Sequence, residues 1–337
     1  MTTRADKKKA TIYDVAAAVE ASISTVSLVL NGDWSRYRIK EETAERILKA
    51  ARELGYEVNL RARGLRLSKS GLAGMILPHY RNRFFADLAE TFELGARQRN
   101  LCPIVVSTQR DAEVEAKVVR TLLAQRVEFL FIAGVAAPGT LNRMCEEAAI
   151  PCVNVDLPGK GAPSVVSDNK AGAFLVTQKL IEKVRALGGS LEDMLFLGGV
   201  AGEYATDNRV AGFLDALRQA GVQPSADMVS CCGYRPENSS SAFADYVARC
   251  GRPPSGLFVC SITTFEGVVR HSVATGSALD CAVGCFDWDP FAADLPFTVA
   301  MLRQDVETMM DLAFGSLTPE RQRARDILMV APILERA

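Results

Sequence analysis

The chain has 337 residues, 48% of them hydrophobic, enough to bury a large core and to make two or three domains the expectation. Its net charge is only −1, yet residues 1–69 hold fourteen Lys/Arg against nine Asp/Glu, which leaves −6 for the remainder and points to a polyanionic partner at one end. Nine Cys without a CxxC pair, and His79 and His271 at no ligand-like spacing from them, speak against a zinc site or a disulfide framework; MTTRADKKKA lacks a signal-peptide core and no apolar run reaches membrane-spanning length, so a cytoplasmic protein with reduced thiols and neither metal nor membrane is expected.

In ATIYDVAAAVEASISTVSLVLNG, apolar residues recur at Ile12, Val15, Ala16 and Val19, then at Val26, Val29 and Leu30. This spacing predicts two short helices separated by Glu20 to Ser22. Thr11 caps the first, with Asp14 three residues on close to a capping box, and Ser22 caps the second. A third amphipathic helix follows in KEETAERILKAARELGY, where Ala44, Ile47, Leu48, Ala51 and Leu54 share one face.

Three short helices with a basic surplus suit a helix-turn-helix, whose second helix enters the major groove by its N-terminal end. Ile23 and Ser24 would then reach base edges while Ser22, Thr25, Ser27 and Asn31 touch phosphates, with Val26 and Val29 turned to the core. A plain helical bundle whose Ser and Thr only cap helices fits the same composition. The next segment, NLRARGLRLSKSG, sets Arg61, Arg63, Arg66 and Lys69 around Leu60 and Leu65 before a buried-strand signature, LAGMILP. It reads either as a solvated hinge or as a helix that forms on DNA and wedges Leu65 into the minor groove.

From residue 71, short Val, Ile, Leu and Phe runs alternate with amphipathic helical stretches: GLAGMIL, CPIVVS, VEFLFIAG, IPCVNVDL, DMLFLGG, SGLFVCS and CAVGCFD. Runs bounded by Gly or Pro suggest strands buried on both faces, hence two parallel sheets with crossover helices and ligand near the strands' carboxyl ends. Polar or aromatic groups there are Tyr80, Asn82, Phe85, Asp168, Asn169, Arg209, Tyr234, Ser261, Asp287 and Gln304, with Trp288 lining the cleft or covering it. GxSxG, GxGxxG, Walker and HExxH patterns are absent and two His leave little scope for acid-base chemistry, so neither catalytic residues nor a cofactor is expected. Asp111, Glu113 and Glu115 read as the solvated start of a helix, and Met309, Met310 and the Cys residues as packing.

The stretches TIYDVAAAVEASISTVSLVLNG, EETAERILKAARELGY and NLRARGL closely resemble the LacI/GalR family of bacterial transcription regulators, and the insert GDWSRYRI with Leu28 is most similar to its fructose- and sucrose-repressor branch. The resemblance implies a lambda-repressor-like all-α helix-turn-helix head at 1–58, a hinge helix and linker at 59–70, and a periplasmic-binding-protein-like α/β effector and dimerisation domain at 71–337. Its N-subdomain would comprise about 71–183 and 305–325, and its C-subdomain about 186–300 and 326–337. DNA contacts are implied at Thr11, Tyr13, Ile23, Ser24, Leu28, Asn59, Arg63, Arg66 and the Leu65 wedge. Leu28 is suited to a thymine methyl.

Effector contacts are implied at Arg209, in NRVAGF, and at Asp287, in CFDWD; a donor fork and a paired acceptor suit vicinal diols, with Phe85 and Tyr234 stacking on ring faces. Departures from the family pattern are Glu20 where Gly is usual, Val58 for Pro, Gly64 inside the hinge, and Ser261-Ile262 for Asn-Asp. The family's partners would be a pseudo-palindromic operator, a sugar or sugar phosphate, and a second copy of the chain. A sugar receptor of periplasmic type without regulatory function is the alternative.

Overall fold

The computed structural model describes residues 10–30, 32–56, 70–276 and 279–336. Two compact units divide between Ser70 and Gly71. Asn31, Asn59, Arg63, Leu65 and Arg66, and with them the hinge expected at 59–70, lie outside the described residues apart from Ser70.

In the first unit α1 spans Ile12–Ala18, α2 Ile23–Leu30 and α3 Glu41–Glu53. Thr11 starts α1 with a full capping box: its hydroxyl accepts from the Asp14 backbone N–H, and its own N–H donates to the Asp14 carboxylate at 2.7 Å. Ser22 Oγ accepts the Thr25 N–H at 3.1 Å and so opens α2. The chain bends by 107° between α1 and α2, within the range of a helix-turn-helix. Glu20 sits in that bend at φ 49°, a left-handed conformation that glycine adopts without strain, which explains why its carboxylate side chain is the departure there. Val15, Val26 and Ile47 are fully buried between the three helices. Arg46 Nη2 closes the far end of α1 by donating to the Val19 carbonyl at 3.1 Å.

The second unit contains two six-stranded sheets. The first is built from β1 (Leu72–Leu77), β2 (Cys102–Ser107), β3 (Leu130–Ala133), β4 (Cys152–Val155), β5 (Ser164–Ser167) and β11 (Ile327–Val330), in spatial order β11-β5-β4-β3-β1-β2, all parallel. Its crossover helices are α4 (Arg83–Gln98), α5 (Ala112–Ala124) and α6 (Pro138–Glu147), joined late in the chain by α11 (Val306–Gly315). The second sheet holds β6 (Leu195–Leu197), β7 (Val229–Ser230), β8 (Gly256–Val259), β9 (Ala282–Cys285), β10 (Thr298–Arg303) and β12 (Ile333–Arg336), ordered β12-β10-β9-β8-β6-β7. Here β12 runs antiparallel to β10 at the edge, whereas the other strand pairs among the described residues are parallel. Its helices are α7 (Asn169–Ala186), α8 (Tyr204–Gln219), α9 (Pro236–Cys250) and α10 (Ile262–Thr275). The inner strands of both sheets are buried on their two faces, as unbroken apolar runs require, while the edge strands β2, β7 and β11 are partly exposed.

The chain crosses between lobes three times, but not where the expected bounds put two of the crossings. Ala173, Val176, Leu180 and Val184 of α7 pack wholly into the second lobe's core, so the first crossing lies at Asp168–Asn169 rather than near 183–186. β11 pairs with β5, so residues 327–330 belong to the first lobe and the last crossing lies at Ala331–Pro332 rather than at 326. Hydrophobic periodicity shows that a helix exists but not which of two sheets it covers. Contact between α7 and α8 is close because position 212 is Gly: a Cβ there would meet the Lys170 carbonyl oxygen at 2.2 Å.

Glu115 also departs from expectation. Asp111 and Glu113 open α5 in solvent, whereas Glu115 is buried, takes a 3.5 Å hydrogen bond from the Thr108 hydroxyl, and has its pKa raised by that burial. Met309 and Met310 are core residues.

Candidate functional site

On the head, the exposed side chains of α1 and α2 include Thr11, Tyr13, Ser22, Ile23 and Ser24, with Thr25, Ser27 and Leu28 half-buried beside them. Tyr13 is 67% exposed and Ile23 43%. Large side chains are thus held outward on a small rigid base, next to the start of α2, where backbone N–H groups favour anions. Among the described residues no single helix is long and apolar enough to cross a membrane.

In the two-lobed unit a small cavity, open at its mouth, lies between the carboxyl ends of the two sheets. Seven of the ten strand-end groups expected there line it: Asn82, Phe85, Arg209, Tyr234, Ser261, Asp287 and Gln304. Tyr80 and Asp168 stand outside. Tyr80 is half exposed, and Asp168 is spent as the N-cap of α7, accepting the Ala171 N–H at 3.0 Å. The next residue, Asn169, is the one that reaches inward, through Arg209. Trp288 is not among the residues lining it; it is half-buried, and its ring centre lies 5.9 Å from the Arg83 guanidinium.

Each central side chain is placed by a strand end or a helix start. Arg209, in the second turn of α8, is buried; its Nε donates to Asn169 Oδ1 at 2.8 Å, its Nη1 to the Cys260 carbonyl at 2.6 Å, and its guanidinium lies 3.8 Å from the Phe286 ring centre. Burial opposes its charge, but Cys260, Tyr234, Asp287 and Asp156 more than offset this and its pKa rises. Asp287 follows β9 and accepts from Asn82 Nδ2 at 2.8 Å, Gln304 Nε2 at 3.0 Å and the Ile262 N–H at 3.2 Å. Burial raises its pKa against the pull of Arg209 and of those hydrogen bonds. Gln304 is itself fixed by the Ser167 hydroxyl, which donates to its Oε1 at 2.6 Å.

Sequence reasoning missed a second half of the cavity: His79, Phe84, Arg110, Asp156, Ala205 and Thr263. Asp156 directly follows β4 and Arg110 comes three residues after β2, so the strand-end rule that found Asp287 could have found both. Their backbones, at φ 76° and 58°, carry strain characteristic of residues held at a site, which no sequence pattern reveals. Arg110 Nη1 crosses to the other lobe and donates to Glu203 Oε2 at 2.7 Å, and its guanidinium lies 4.6 Å from the Tyr234 ring centre. The Tyr234 hydroxyl donates to Glu203 Oε1. Burial pushes the Asp156 carboxyl up to about 7, with Arg209 and Arg110 opposing and Glu203 and Asp287 reinforcing. Burial, then Arg110, lower the His79 pKa and favour its neutral imidazole.

Asn82–Asp287, Arg110–Glu203 and Arg83–Asp289 (3.4 Å) all join the lobes. They make the unit a clamp whose opening breaks polar contacts at both ends of the cleft.

A helix-turn-helix head on the same chain as a two-lobed parallel-sheet clamp defines a DNA reader coupled to a small-molecule receptor. Two family models match the chain: bacterial regulatory proteins of the lacI family over residues 11–59, and the periplasmic binding proteins and sugar-binding domain of the LacI family over 70–259. The ribitol operon repressor of Klebsiella aerogenes is 42% identical over 192 residues, covering 57% of this chain and 71% of that protein. The sucrose operon repressor of Klebsiella pneumoniae is 30% identical over 265 residues, 78% of each. In three dimensions the chain is similar to the lac repressor dimer bound to operator and the anti-inducer ONPF, with a TM-score of 0.77, 21% identity and 98% of both chains covered. The chain belongs to the LacI family of bacterial regulatory proteins and is a DNA-binding transcriptional regulator.

Proposed function

We propose that this regulator represses sugar-utilisation genes in the bacterial cytoplasm, at the nucleoid, and that a sugar or sugar phosphate held between its lobes controls DNA binding. The observation that carries the reading is the cavity in which Arg209 and Asp287 face a ligand from the second lobe while Asn82 and Phe85 face it from the first. Ligand bound there contacts both lobes, so its affinity depends on their relative position; that unequal affinity is what lets occupancy shift the clamp. The names of the ribitol and sucrose operon repressors support a carbohydrate as the signal.

The protein acts as a homodimer on a pseudo-palindromic operator, because a two-fold protein matches a two-fold site. Solved relatives support this: the lac repressor dimer is bound to operator, and another regulator is in complex with cellobiose. Thr11, Tyr13 and the exposed face of α2 supply the contacts of the head, and the segment around Leu65 transmits the state of the clamp. The chain binds and releases its ligand without turnover. Replacement of Arg209 by Ala tests the reading: the melting-point rise given by a bound sugar disappears while operator affinity is retained. An R209A protein that still responds fully to ligand contradicts it.

A further inference from the structure

The charges around the cavity are spoken for in a way that bears on which ligand it takes. Two guanidiniums, Arg110 and Arg209, face three carboxylates, Asp156, Asp287 and Glu203. Arg110 is paired with Glu203, whose side chain is 7% exposed, while Arg209 donates to the neutral Asn169 and Cys260 carbonyl and has Asp287 and Asp156 as nearby counter-charges. A phosphate dianion is bound best by donors with uncompensated positive charge. Here it would have to displace Glu203 from Arg110, leave that carboxylate buried without its counter-charge and held only by the Tyr234 hydroxyl, and sit close to Asp156.

Two residues lining the same space each carry a buried polar atom with no hydrogen-bond partner among the described residues: His79 Nδ1 and Arg110 Nε. Both come from the first lobe, opposite Arg209, and burial without a partner is costly for each. Arg110 Nε can only donate, a carboxylate such as Asp156 can only accept while ionised, and a neutral imidazole nitrogen does one or the other. Hydroxyl groups both donate and accept, so adjacent hydroxyls can satisfy all three; an ionised phosphate only accepts.

We propose that the effector is an uncharged polyhydroxyl compound, that His79 and Arg110 Nε take its hydroxyls, and that Glu203 excludes phosphorylated counterparts by occupying Arg110. This rests on the effector reading above and specifies its ligand. His79 and Arg110 are ligand contacts; Glu203 is a positioning residue whose charge sets specificity.

The test uses the full-length protein in calorimetric titrations with ribitol, D-fructose and sucrose as uncharged probes and fructose 1-phosphate and inorganic phosphate as charged ones, with operator affinity measured in parallel. The wild type binds at least one uncharged probe and binds fructose 1-phosphate and inorganic phosphate more weakly than fructose. In Glu203→Gln, which keeps the shape but frees Arg110 from its counter-charge, the ratio of fructose 1-phosphate to fructose affinity rises at least tenfold, and in His79→Leu affinity for the uncharged probe falls at least tenfold. Wild-type protein that prefers fructose 1-phosphate to fructose overturns the proposal without any variant, as does an E203Q ratio equal to that of the wild type. Operator binding with no response to any uncharged probe also overturns it and leaves DNA recognition standing; absence of operator binding is instead the failure of the regulator reading.

Discussion

Asp156 provides a stability test of the cavity that needs no ligand. Its carboxyl is 5% exposed and is pushed from an ordinary 3.8 to about 7, chiefly by burial. A carboxyl raised on folding binds its proton more tightly in the folded chain, so stability is greatest below pH 3.8 and is lost as pH climbs through 7. At 1.36 kcal/mol per tenfold change in proton affinity, the cost is about 1.7 kcal/mol at pH 5 and about 4 kcal/mol at pH 8. Replacement by Asn keeps the shape and removes the titration. Asp156→Asn should therefore gain stability over the wild type as pH rises, by roughly 2.5 kcal/mol between pH 5 and pH 8. For a unit of this size that is a melting-point advantage growing by about 5 °C or more, read by circular dichroism on the full chain at the two pH values. An advantage that does not change with pH, or a D156N protein less stable than wild type at pH 8, would refute the reasoning and show that Arg209 and Arg110 hold the carboxylate ionised. The cost is the kind that ligand sites carry and structural cores avoid.

Further outcomes follow for the head. Ser22→Ala removes the hydroxyl that accepts the Thr25 N–H, and should destabilise the head by about 1 kcal/mol and weaken operator binding, measured by amide exchange along α2 and by fluorescence anisotropy. Ile47 is fully buried at the centre of a three-helix core, so Ile47→Ala should cost about 2–5 kcal/mol there. Operator binding is then lost, while the melting-point rise that a sugar gives the two-lobed unit survives; loss of both responses would show that the two units do not fold independently.

Much of this was legible in the residues because it depends on local rules. The head follows from helical spacing and caps: Thr11 and Ser22 cap, and Val26 and Val29 are buried, as their positions require. Buried parallel strands announce themselves as apolar runs, and a polar residue after such a run falls near the cleft, which is how Asn82, Ser261 and Asp287 were found. What failed depends on long-range placement. α7 reads equally well as a cover for either sheet, and its assignment follows from packing against α8, made close by Gly212. Tyr80 and Asp168 are strand-end residues like the others, but one turns to solvent and the other caps a helix, a competing use of the same side-chain chemistry. Glu115 looked like one of three acids opening a helix, yet its position one turn into α5 turns it inward toward Thr108. Arg110 and Glu203 are 93 residues apart and acquire meaning only as a pair.

The most direct test of the account is the affinity of the purified protein for a duplex from the region upstream of its own gene, measured at moderate salt against a scrambled duplex, with and without the sugars above. The account predicts a clear preference for the natural duplex and a change in that affinity when a sugar occupies the cleft, with the change absent in R209A. Equal affinity for both duplexes, unaltered by any sugar, would contradict it.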